Sequence, residues 1–457
     1  MFSVTSLGFL PFMALFACLW YRVPQPSRWK LVLAANAVFC LSIDIGAFFA
    51  VALATAVVWQ AAQHAQPEQP SRRGWLALGL AAALLPLLVL KYSGMLVPGL
   101  RDLYKPFGLA YYSLQLAGYL LDVWHGRTAP TPSYARLWCY AGFFLSLTQG
   151  PFNRYNILMP QLEAAPKTFE TQRLVSGLQR SAWGYFKKFA IADRAAIVVS
   201  AAFADPASFD RSQLIFATVM YSFQLYADFS GYTDIVLGMG EILGLHLPEN
   251  FRQPFFSASV KELWARWHIS LSQWFRDYVY IPLGGNRVGR ARQLLNILVV
   301  WMLTGFWHGA AWNFVVWGLM FAVLLIMEKL WLLKPLSKCR PLAHLYVVFF
   351  VVISFVIFNA ENMGQALSDI GGLFGAGGIP LVSAEAVYCL RSFALVLILA
   401  VLGATPLLRN GLVRLSQYPT AGKVLNALEP FTLFVLLLVM TGYLVDGSFN
   451  PFLYFRF

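Results

Sequence analysis

Long apolar runs dominate the chain, separated by short polar links. A helix needs about 20 predominantly apolar residues to cross a bilayer. Runs approaching that length predict spans at Leu7–Tyr21, Leu31–Trp59, Trp75–Leu90 and Leu214–Tyr226. Further spans are predicted at Leu294–Phe306, Ala311–Ile326, Leu345–Phe358, Val387–Leu402 and Pro430–Leu444. The run Leu31–Trp59 is too long for one straight crossing, and Asp44-Ile45-Gly46 marks the place to break it. Gln60–Arg73 reads as a solvated loop and Lys91–Lys105 as a polar link. Glu163–Phe189 begins polar and turns amphipathic. Its Arg173, Arg180, Lys187 and Lys188 suit a helix lying in the interface.

Several stretches break the apolar pattern. Tyr112, Gln115 and Tyr119 fall at i, i+3 and i+7, so a helix there carries a polar stripe facing either a neighbouring helix or a cavity. Gln149-Gly150-Pro151 stops a helix, and exposed backbone is tolerated in lipid only where it lines a cavity or meets water. Ala227–Asp234 brings two carboxylates, Asp228 and Asp234, and predicts a break after the span ending at Tyr226. Pairing with arginines as structural anchors is favoured for them over lining a substrate path. The tail Phe449–Phe457 is aromatic, like an interface anchor.

Composition fixes the solvent. The 457 residues are 59% hydrophobic and only 12% charged, whereas roughly 25% charge is usual for a soluble domain. The chain therefore reads as one all-α, polytopic integral membrane domain over residues 1–457, with the bilayer as partner. The net charge of +13 comes largely from Lys and Arg between spans. That placement fits positive-inside topology and anionic headgroups, and no nucleic-acid module is visible. The five cysteines are odd in number and lack metal-ligand spacing, so they read as apolar filler. Met1–Trp20 lacks a basic leading region and a cleavage site, which points to a retained first helix with its N-terminus outside.

The densest polar stretch is Val260–Gly318. Val260–Tyr280 reads as one helix too charged to span, re-entrant or interfacial, followed by the turn Ile281–Arg287. His268 lies in that helix. His308 lies inside a long apolar run, between Trp307 and Gly309. The glycine is expected to leave room for a substrate. Dry surroundings favour the neutral imidazole that a general base needs. The plainer reading is a core histidine hydrogen-bonded to a carbonyl. Zinc would need three or four ligands, and no HxxxH, HxxE or cysteine cluster lies near. No GxSxG elbow, Walker loop or GxGxxG is present.

The blocks Arg266–Ser272, Arg276–Tyr278, Tyr280–Arg287 and Thr304–Asn313 together resemble the membrane-bound O-acyltransferase family, in its bacterial alginate O-acetylase-like subgroup. Gln149–Tyr155, Phe186–Asp193, Asp228–Ile235 and Asn450–Phe457 extend the resemblance. It implies a ring of about 11 tilted transmembrane helices with re-entrant or interfacial helices around a central tunnel. His308 matches the family's catalytic histidine, and His268 a second polar position of its motif. Arg266, Arg276 and Arg287 are candidates to hold donor phosphates, although lipid-facing anchors would look the same. Trp267, Ser272, Asn286, Trp307 and Asn313 are further candidates for the donor path or tunnel, with Tyr112, Gln115 and Asp228. No metal and no bound cofactor are implied. The donor is acetyl-CoA or an acyl-carrier thioester on the cytoplasmic side of a bacterial inner membrane. The acyl group would pass outward to a periplasmic or extracellular acetyltransferase partner acting on a polysaccharide, alginate-like first. Peptidoglycan or cellulose O-acetylation and D-alanyl transfer to teichoic acid are the alternatives. A transporter or flippase would also place polar groups mid-membrane, but it predicts two matching halves with broken helices, and the polar stretch occurs once. A non-catalytic scaffold is the third reading.

Overall fold

A computed structural model of the chain describes residues 4–100, 102–166, 168–204, 209–378 and 380–446. The aromatic tail lies outside them. Among the described residues every regular element is a helix, apart from one isolated antiparallel bridge between Phe251 and Trp267. The contacts gather the chain into two units, Met1–Ser181 with Thr233–Glu249, and Ala182–Tyr232 with Asn250–Phe457.

The first unit holds α1 (Phe9–Arg22), α2 (Arg28–Ile43), α3 (Ile45–His64), α4 (Arg72–Leu96), α5 (Leu109–Trp124), α6 (Tyr134–Ala141), α7 (Tyr155–Ala164) and most of α8 (Thr171–Phe186). The long second apolar run breaks at Asp44, as expected. That carboxylate accepts from Gly46 N at 2.9 Å, from Phe107 N at 3.0 Å and from the Tyr104 hydroxyl. It therefore separates α2 from α3 by capping the second of them. Residues 142–154 are irregular and include the predicted Gly150-Pro151 stop. Asn36 supplies bonds that a helix would have made there: it donates to Cys139 O at 2.9 Å and accepts from Phe144 N at 3.0 Å. Arg180 forks onto Glu249 at 2.8 and 2.7 Å and reaches Asp234 at 3.2 Å. Asp234 is thus paired with an arginine.

The second unit takes α9 (Asp193–Ala204), most of α10 (Arg211–Ile242), α11 (Val260–Arg266), α12 (Ile269–Phe275), α13 (Arg290–His308) and α14 (Trp312–Met327). After these come α15 (Leu333–Lys338), α16 (Arg340–Asn359), α17 (Met363–Leu373), α18 (Ala384–Ala404), α19 (Leu407–Ser416) and α20 (Pro419–Asp446). Two sequence expectations are corrected. The helix α10 runs unbroken for 32 residues through Ala227–Asp234. Its carboxylates meet cations, so the backbone does not have to leave the helix to solvate them. Conversely, Val260–Tyr280 is not one helix. It breaks at Trp267-His268, and a π-helical turn over Arg276–Tyr280 follows α12.

Close approach of α13 and α14 depends on two glycines. A Cβ on Gly305 would run into the carbonyl of Phe314, and one on Gly318 into that of Trp301. Six helical stretches among the described residues are long and apolar enough to cross a bilayer: 45–64, 72–96, 312–338, 340–359, 384–404 and 419–445. The protein is a multi-pass membrane protein. Its α18 and α20 bury almost none of their apolar side chains, as lipid-facing helices would.

Candidate active site

The site in the second unit starts from the cap of α11. Ser259 Oγ accepts from Glu262 N at 3.0 Å, and Glu262 Oε2 accepts from Ala258 N at 2.8 Å. This is a variant of the reciprocal Ser-x-x-Glu cap, with the glutamate reaching one residue further back, to Ala258. Glu328, at the end of α14, takes the next two orphan donors, Val260 N at 2.5 Å and Lys261 N at 3.0 Å. A seven-residue helix is held firmly in this way. At its other end the chain turns through His268, whose φ of 44° and ψ of 52° lie in the left-handed region. A non-glycine residue there costs of order 1–3 kcal/mol unless its surroundings over-determine it.

Asn250–Arg252 does the over-determining. Phe251 bridges Trp267, Arg252 N donates to Arg266 O at 2.9 Å, and Ile269 N donates to Asn250 O at 3.0 Å. Asn250 Oδ1 then accepts from Ser270 N at 3.1 Å and Ser270 Oγ at 2.7 Å. Trp267 packs on Phe251 at 5.1 Å and Phe355 at 5.6 Å. The His268 ring meets Phe229 edge-on at 4.8 Å and Trp307 at 6.0 Å.

His308 ends α13, where Gly309 goes extended. Its ring is walled by Trp307 at 4.9 Å, Trp317 at 5.1 Å and Phe358 at 5.6 Å. The centroids of His268 and His308 are 6.4 Å apart. That is too far for a direct bond between ring nitrogens. Burial drives the basicity of His268 down, to about 3, so this imidazole is neutral at any ordinary pH.

A cavity of about 510 Å³ opens beside the pair. His268 lines it, and so does Thr304, one turn before His308 on α13; His308 does not. Leu271, Phe275, Ile297, Val300 and Trp301 supply its apolar wall. Three cations, Lys261, Arg276 and Lys329, also line it, against one carboxylate, Glu328, whose oxygens already serve backbone donors. Such a cavity suits an apolar arm ending in an anionic group.

The candidates from sequence divide sharply. His268, Ser272, Arg276 and Asn286 line the cavity. Arg266 instead pairs with Glu262 at 2.6 Å, and Arg287 is exposed at the turn. Asn313 ties α14 to the end of α16, donating to Ile357 O at 3.1 Å and Ala360 O at 2.7 Å. Trp307 walls both histidines, and Trp267 packs on Phe251 and Phe355 instead. Asp228 accepts from Lys188 Nζ at 2.8 Å, and the same ammonium meets Asp193 at 2.9 Å. Tyr112 and Gln115 are buried on α5 in the first unit. Space next to Gly309 is filled by the Phe314 ring, so that glycine serves packing rather than substrate access. Lys261, Glu328, Lys329 and Tyr280 were missed as cavity residues. A charged Glu-Lys pair at the end of a long apolar run was the available signal for two of them.

Residues 93–363 match the sequence profile described as MBOAT, membrane-bound O-acyltransferase family. The probable alginate O-acetylase AlgI of Azotobacter vinelandii is 33% identical over 396 residues, covering 82% of this chain and 78% of that protein. The peptidoglycan O-acetyltransferase of Helicobacter pylori is 30% identical, covering 70% and 68%. The teichoic acid D-alanyltransferase of Bacillus subtilis is 28% identical, covering 68% and 85%.

Proposed function

The chain belongs to the membrane-bound O-acyltransferase family, and from that premise we propose that it carries an acetyl group from a cytoplasmic thioester to an envelope polysaccharide, across a bacterial inner membrane. The observation that carries this reading is the pair of buried imidazoles, 6.4 Å apart, with one of them on a cation-lined cavity. The donor, acetyl-CoA or a carrier-bound thioester, lies in that cavity. Lys261, Lys329 and Arg276 hold its anionic portion, and its acyl carbon lies at His268.

His308 acts as the general base. It takes the proton from the acceptor hydroxyl as the oxygen attacks the thioester carbonyl. Neutral His268 gives an N–H to the developing oxyanion, which the surrounding aromatic wall leaves poorly solvated. The intermediate collapses, the carbon–sulfur bond breaks, and the departing sulfur takes the proton from the His308 imidazolium. Names among the relatives favour an alginate-like acceptor, with peptidoglycan next; delivery through a second envelope protein is part of the same proposal.

The test is thiol release and acetyl transfer by the purified full chain in lipid nanodiscs, given an acetyl thioester and an oligosaccharide. Wild type should consume the donor, and His308→Ala should insert and fold yet transfer about 10²–10⁴ more slowly. Transfer at the wild-type rate by that variant would remove His308 from the chemistry.

A further inference from the structure

Tyr280 and Asn286 both line the cavity, and the network that holds them reaches a residue that does not, Gln293. The Tyr280 hydroxyl donates to Asn286 Oδ1 at 2.6 Å. Gln293, in the first turn of α13 and 9% exposed, donates from Nε2 to the same Asn286 oxygen and to the Tyr280 oxygen at 3.3 Å. The turn that carries Asn286 is pinned as well. Asn296, 1% exposed on α13, donates to Leu283 O at 3.1 Å, and Gly285 N donates to Tyr280 O at 2.9 Å. Gly284 and Gly285 take φ of 104° and 53°, a pair of values that only glycines adopt cheaply.

The result is a carboxamide with a fixed orientation. Its oxygen takes two donors, so its two N–H groups lie on the other side of the amide carbon. They have no acceptor among the described residues. Holding the turn uses only the oxygen, which leaves the nitrogen for the cavity. Lys261 and Lys329, on the same cavity, are point charges that attract an anion from any direction. A fixed amide N–H instead donates well only to an oxygen near its own axis. We propose that Gln293 is a positioning residue, turning Asn286 so that Nδ2 donates to an oxygen on the stem of the thioester donor, an amide carbonyl or a phosphoryl oxygen. This deepens the acyltransfer reading and rests on it for the nature of the donor.

The experiment uses the full chain in nanodiscs. It reads Kd for CoA and for pantetheine, which lacks the phosphates, beside KM and kcat with acetyl-CoA. Asn286→Asp keeps the oxygen that Tyr280 and Gln293 donate to and removes the N–H donors. Gln293→Leu removes the positioning bond and leaves the cavity lining unchanged. Each should raise Kd for CoA and KM for acetyl-CoA about five- to tenfold, the loss of one hydrogen bond, with kcat held; Asn286→Asp should also keep its Tm. The ratio to wild type should persist at high salt, which would screen a simple repulsion by the new carboxylate. Because Gln293 acts through Asn286, the double variant should bind no more weakly than Asn286→Asp alone. A parallel loss for pantetheine assigns the bond to an amide carbonyl, and a loss confined to CoA assigns it to a phosphoryl oxygen. Unchanged affinity in Asn286→Asp, or a loss that vanishes at high salt, would overturn the contact. Additive losses in the double variant would overturn the role of Gln293. Thiol release that persists in those cases leaves the acyltransfer reading standing. Binding of CoA to wild type without thiol release from acetyl-CoA would sink that reading and leave the contact.

Discussion

Lys188 and His268 are each 1% exposed in the second unit, yet the protein treats them in opposite ways. Lys188 is charged and carries its own counterions, Asp228 and Asp193, at 2.8 and 2.9 Å. His268 has aromatic neighbours and a cavity, and burial holds it neutral. A buried charge with its partners built in is committed to them, because breaking the pair strands an ion in a poor solvent. A neutral imidazole beside open space can trade a proton or a hydrogen bond with whatever enters. The two designs meet at consecutive residues of α10, since Asp228 pairs with Lys188 and Phe229 touches the His268 ring.

Substitution should split the two regions cleanly. At the histidine pair the largest loss is in rate. His308→Ala is expected to lower acetyl transfer by about 10²–10⁴, the range of a general base, with Tm in detergent nearly unchanged. Equal losses in rate and Tm would place His308 with the anchors.

At the ionic cluster the loss should be in stability. Lys188→Met strands two carboxylates and should cost about 3–5 kcal/mol, read as a fall in the denaturation midpoint. Transfer per folded molecule should change little. Neutralising all three groups, as Lys188→Met with Asp193→Asn and Asp228→Asn, should recover much of that loss. A triple variant as unstable as the single one would show that the charges are not what matters there.

Acid should separate them further. The unfolded chain binds a proton at His268 below its ordinary 6.5, whereas the folded chain resists until about 3. Over that window the unfolded state binds more protons, so stability falls as pH falls. At pH 5 the shortfall from this one group is about 2 kcal/mol. Thermal melts between pH 7 and 5 should show it, and His268→Gln should flatten that part of the slope. The same slope in the variant would assign it elsewhere.

Much of this architecture could be read from residue pattern, for reasons that differ by region. The break at Asp44 was legible because a carboxylate inside an apolar run has to find donors, and the next helix end supplies them. The predicted break at Asp228 failed on the same logic applied without partners. Its cation, Lys188, is 40 positions earlier and arrives only through folding. The turn at His268 was invisible because Arg-Trp-His-Ile has no glycine. Its left-handed conformation is imposed by Asn250–Arg252, which nothing local announces. Gly309 was misread because an empty Cβ position says nothing about which ring fills it. The cavity-lining set was half legible: Arg276 and Asn286 fall in a recognisable block, while Lys261 and Lys329 come together only when α11 meets the end of α14.

Those two lysines give the smallest and most discriminating difference from the anchored Lys188. Lys261 and Lys329 line the cavity on its polar side, and the one carboxylate there, Glu328, already accepts from Val260 N and Lys261 N. Lys261 acts electrostatically on that carboxylate, whereas no ion pair to Lys329 is found among the described residues, so removing the Lys329 charge strands nothing. Lys329→Ala should leave Tm within the scatter of surface substitutions. It should raise the KM for the thioester donor by about tenfold, worth about 1.4 kcal/mol, with kcat held. Because the contact is electrostatic and partly solvated, the KM difference between wild type and variant should shrink as salt rises. A fall in kcat at constant KM would move Lys329 from holding the donor to serving the reaction, and the contrast with Lys188 would then need another basis than which group carries its own counterion.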